Sequence, residues 1–110
     1  MDHMEKIALK AGQLAALAEA ADMLGFEGQN TELVHELLEL LADDAAALLA
    51  DAEVSNVVDA YLAKAAASAA VAMARDDEAS EDLPPMILNV WQAFAGMKKS
   101  LQEKAWGAVG

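Results

Sequence analysis

A chain of 110 residues with a net charge of −12 is long enough for one modest hydrophobic core and too short for two. The lack of cysteine excludes disulfides, thiol catalysis and thiolate metal sites, and the scarcity of cations argues against direct nucleic-acid binding or attraction to anionic membranes. Alanine supplies 27 residues and leucine 15, both strong helix formers, so the composition predicts an all-α fold.

The first predicted element is a helix over 5–24. Ile7, Ala11, Leu14, Leu17, Ala18, Ala21 and Leu24 share one side, and Leu9, Ala16, Ala20 and Met23 the other. Apolar character on both flanks predicts burial on both, in the middle of a bundle or at a subunit contact. Gly25 suits the position just past a helix end, with Phe26 as the apolar contact of that cap.

Asn30 or Thr31 can cap a second helix over 31–52, the most strongly amphipathic of the set. Val34, Leu37, Leu38, Leu41, Ala45, Leu48, Leu49 and Ala52 form one side, and Glu32, Glu36, Glu39 and Asp43 a row on the other. Like charges at these spacings cost a few tenths of a kcal/mol each, roughly, which the leucines must outweigh. Solvated helix faces usually mix signs, so this single-signed row is the candidate docking strip for a protein with a basic surface. Glu32 and His35 stand at the ExxH spacing of di-iron carboxylate sites. No second ExxH accompanies them, so no metal or cofactor is expected.

A third helix is predicted over 55–75, capped by Ser55 or Asn56. Neither Gly nor Pro separates it from the second. One continuous helix from Thr31 to Arg75 would run roughly 68 Å, far beyond what a compact domain needs, so a break is favoured. Val54, Val58, Tyr61, Leu62, Ala65, Ala69, Ala72 and Met73 share one side of it.

An acidic loop over 76–84 follows, with Pro84 expected extended and Pro85 in the first turn of a fourth helix over 85–106. Ile87, Val90, Phe94, Met97 and Leu101 make a three–four seam suited to covering the leucines of the second helix. Leu88, Trp91, Ala95 and Trp106 fall beside that seam, beyond what one core contact requires. Together with Leu9 and Met23, the residues Leu88, Trp91 and Trp106 are the candidate oligomer interface, since tryptophan often anchors binding hot spots.

The charge is unevenly spread. Residues 1–82 hold 18 acids against four basic residues, whereas 83–110 hold three lysines and one glutamate. The start MDHMEKIALKAG lacks the apolar run of a secretory leader, and no stretch is long enough to insert in a membrane, which points to the cytoplasm. No glycine-rich phosphate loop or nucleophile motif occurs, so catalysis is not expected.

The predicted architecture is thus an antiparallel bundle of about four helices in a single domain, dimerised. Its expected role is non-enzymatic: an adaptor or inhibitor that binds another protein. The alternatives are an acidic nucleic-acid mimic blocking a DNA- or RNA-binding protein, and a secretion or assembly chaperone. In size, alanine-rich helicity and acidity the chain resembles the small early proteins of bacteriophages that disable a host machine, such as a pilus-assembly ATPase, a transcription regulator or a CRISPR effector. That resemblance implies an inhibitor of a larger host assembly and carries no site residues.

Overall fold

Leucine and alanine at spacings of three and four wind the chain into α1 (His3–Glu27), α2 (Thr31–Leu49), α3 (Val58–Ala74) and α4 (Leu83–Trp106). The computed structural model describes residues 2–27, 31–76 and 81–107. Of the connector expected over 27–30, Glu27 belongs to α1, and the rest, with the cap at Asn30, the Phe26 side chain and residues 77–80 of the acidic loop, lies outside the described part. No described helix is long and apolar enough to cross a membrane.

The core is one cluster fed by all four helices. Leu14, Leu38, Leu41, Ile87, Phe94, Met97 and Leu101 supply its bulk, and among the described residues no polar or charged side chain is buried. α1 and α3 each lie against α4 and α2, whereas α4 and α2 face one another across the core without close backbone approach. The seam of α4 is therefore not laid directly on α2, as the sequence suggested. Its neighbours are the helices whose inward sides are mostly alanine, because small side chains let two backbones come together closely.

α3 corrects the sequence reading most sharply. Its buried positions are Ala60, Ala63, Ala67 and Ala70. Of the residues that the spacing gathers on one side, Val58, Tyr61, Leu62, Ala65, Ala69 and Ala72 are exposed, Met73 is half-buried, and Val54, in the turn ahead of α3, is buried. On α1, Leu9, Ala16 and Met23 lie outside and Ala20 is half-buried, so one flank of that helix is sealed within the chain and the other is left for a subunit contact if one forms.

The break between α2 and α3 is made by an aspartate. The Asp51 carboxylate accepts the Glu53 N–H at 2.8 Å, and its carbonyl accepts the N–H groups of Val54 and Ser55, each at 3.0 Å. The Ser55 hydroxyl adds a bond to the Ala52 carbonyl at 3.0 Å. Such local side-chain bonds offer the backbone an alternative to the helix, so neither Gly nor Pro is needed. Val54, fully buried, pins the turn to the core. His3 Nε2 reaches Asp51 Oδ2 at 2.5 Å, and Lys104 reaches the Glu53 carbonyl at 2.5 Å, which ties α1 and α4 to the same corner.

Two smaller corrections share a cause in packing. Gly25 does not end α1 but lies within it, and a Cβ there would stand 2.8 Å from the Ile87 Cδ1 atom. The glycine makes room for α4. Likewise α4 begins at Leu83, ahead of both prolines, because Leu83 is itself drawn into the core. Pro84 accordingly sits in the first helical turn, where a missing N–H costs nothing, and not in an extended segment.

Two measurements test this account. Gly25→Leu should lower unfolding stability by about 1–3 kcal/mol through overpacking against Ile87. The Glu53 amide, foremost, and His3 hold the Asp51 carboxyl below the ordinary carboxylate range. A depressed pKa contributes stability above the unfolded value, near 3.9 for aspartate, and loses it as pH falls through the folded value. Asp51→Asn should therefore be less stable than the native chain at neutral pH in urea titrations. The gap should close in acid, and a gap independent of pH would contradict the assignment.

Candidate interaction surfaces

The bundle measures 47 × 22 × 18 Å, so most of its surface runs along the helix sides. Three long faces carry the features that could recognise another molecule.

The first is the outer side of α2. Glu32, Glu36, Glu39 and Asp43 are all exposed there, and Leu33 and Leu40, also exposed, alternate with them. Folding modifies the row in one place: Arg75 Nη2 donates to Glu39 Oε1 at 2.9 Å. Both groups are largely in solvent, so the pair contributes only ~0–1 kcal/mol, yet it neutralises one charge of the four. Sequence reasoning missed this because 36 residues separate the partners. On the neighbouring edge Lys10 Nζ stands 3.3 Å from Asp44 Oδ2. His35 is half-buried, and among the described residues no three or more His, Cys, Asp or Glu side chains are grouped to hold a metal ion.

The second face straddles α1 and α4. Leu9, Ala16 and Met23 recur every seven residues along the outside of α1, while Leu88, Ala95 and Trp106 are exposed on α4. Ala8, Leu9, Gly12 and Ala16 line an open groove between the helices, with Lys98 and Trp106 opposite. Lys99 flanks the other edge of Trp106. Of the five residues expected at an oligomer interface, Leu9, Met23, Leu88 and Trp106 lie outside. Trp91 is half-buried and packed on the core.

The third face, the outside of α3, was not anticipated. Val58 keeps 70% of its surface in solvent, Leu62 55% and Tyr61 51%. The signal was present: Ala60, Ala63, Ala67 and Ala70 follow the same three–four–three rhythm as any core stripe. On the α4 side of this helix, Asp59 accepts a hydrogen bond from the Ser100 hydroxyl.

The two tryptophans make the second face testable by fluorescence. In dilute protein, Trp106 should be quenched readily by acrylamide and Trp91 poorly. The variants Trp91→Phe and Trp106→Phe report each indole alone, and equal quenching of the two would contradict the arrangement.

Compared with family models, curated proteins and solved structures, the chain matches none.

Proposed function

We propose that the chain is a non-enzymatic protein–protein interaction module. In this reading it is an acidic helical adaptor, or an inhibitor of a larger host machine of the kind phage proteins disable, acting in the cytoplasm as a homodimer. The observation that carries the proposal is the set of large apolar side chains left outside the core: Leu9, Met23, Leu33, Leu40, Val58, Tyr61, Leu62, Leu88 and Trp106. Apolar surface gathered on a face, unlike single scattered residues, characterises sites where proteins meet.

An antiparallel run of neighbouring helices belongs to the same proposal. Contacts of His3 with Asp51, Lys10 with Asp44, Glu39 with Arg75, and Gly25 with Ile87 support it. In that arrangement Leu9 and Trp106 stand at one end of the α1–α4 face, and Met23 and Leu88 at the other. The face becomes a continuous strip suited to a protein chain.

The α2 row takes a basic partner. Glu32, Glu36 and Asp43 make no ion pair among the described residues, although Arg75 shares a depression with Asp43, and desolvating the row against lysine or arginine on a partner gives orientation and a salt-dependent on-rate. Nucleic-acid mimicry ranks lower. The Arg75–Glu39 pair interrupts the succession of unpaired carboxylates that would imitate phosphates.

Capture from a bacterial lysate tests the proposal, using the native chain and the double variant Glu32→Lys, Glu36→Lys. The native chain should retain a partner at low salt and release it at high salt, and the variant should retain none. An identical capture by both would show the row to be solvated surface only.

A further inference from the structure

We infer that the outer face of α3 is an isologous interface between two copies of this chain, the two helices lying antiparallel about a two-fold axis near Ala65. This rests on the proposal that the chain works as a dimer, and it states where the copies meet.

A two-fold interface must be complementary to itself: whatever a residue meets across the axis must meet that residue in turn. The α3 face has this property in its size pattern. Bulk is confined to its first turns, at Val58, Tyr61 and Leu62, while the remaining outward positions are Ala65, Ser68, Ala69 and Ala72, all exposed. An antiparallel copy centred on Ala65 brings the bulky end of each helix over the small end of the other. Val58, Tyr61 and Leu62 then fill the space above Ser68, Ala69 and Ala72 of the second copy, and the alanines near the axis let the backbones approach. A parallel copy would instead crowd bulk on bulk and leave alanine facing alanine.

Charge points the same way. Lys64 is the sole cation between Lys10 and Arg75. It is exposed, with no acidic partner in its own chain among the described residues, and it lies on the flank of α3 that faces α2. Asp43 makes no ion pair among the described residues and borders a shallow depression with Ser68 and Val71 of α3, where Arg75 is already engaged by Glu39. Under the two-fold, Lys64 comes level with the turn of the second copy's α3 that precedes Ser68, within a side chain's reach of the second copy's Asp43. The pairing occurs twice. The exposed α2 row cannot make such an interface, because a two-fold there sets carboxylate against carboxylate.

Cysteine crosslinking reads the geometry directly, since the native chain has no cysteine. Ala65→Cys places a thiol at the axis, where two copies should form a disulfide on mild oxidation, while Ala16→Cys on the α1–α4 face should not. Both positions are exposed, so neither disturbs the core. Light scattering should give twice the 11.5 kDa of one chain. Leu62→Glu should return it to one chain with its helical circular dichroism intact. A native protein that stays monomeric at every concentration overturns both the dimer and this interface. A dimer that crosslinks through Ala16→Cys and not through Ala65→Cys overturns the α3 placement alone and leaves the dimer standing.

Discussion

The close approach of α3 to its neighbours over a stripe of alanine is the constraint on which the rest of the molecule depends. Ala60, Ala63, Ala67 and Ala70 are fully buried and remove little apolar area each, at roughly 25 cal/mol per Å². What they contribute is proximity. With α3 and the alanine side of α1 drawn in, Phe94, Met97, Ile87 and Leu101 of α4 fill the centre together with Leu38 and Leu41 of α2. The consequence is external: a helix that turns its small residues inward must turn Val58, Tyr61 and Leu62 outward.

Much of the fold could be read from the sequence where bulk and periodicity agree. Leu38 and Leu41 of α2 and the seam of α4 are buried as their spacing indicated, Leu37, Leu48 and Leu49 are half-buried, and four helices form near the expected places. The reading failed where alanine competes with larger residues for the core. Periodicity on α3 fits two sides equally, and only the neighbouring helices decide which one is sealed. It also failed where a residue has two uses. Gly25 looks like a cap by its type but is an accommodation to Ile87, and Asp51 terminates a helix through its own hydrogen bonds. The acidic row was visible because four residues of one helix suffice to define it. Its partial neutralisation by Arg75 required a contact between two helices.

These features combine into surfaces of distinct character on one small rod. The α2 side is acidic with leucine between the charges. The α1–α4 side sets Leu9, Ala16 and the Trp106 indole among Gln13, Lys98, Lys99 and Gln102. The α3 side is apolar with a size gradient along it. Long-range repulsion from a net charge of −12 disfavours loose aggregation while leaving close, well-matched contacts effective within a Debye length of about 8–10 Å.

Hydroxyl-radical footprinting of the native chain over a range of concentrations tests the central claim most directly, because it reports side-chain exposure residue by residue. Phe94 and Met97 should be protected at every concentration. Tyr61 should react in dilute protein and become protected as concentration rises, while Met23 stays reactive. Protection of Tyr61 equal to that of Phe94 at the greatest dilution would place the bulky side of α3 in the core and contradict the account.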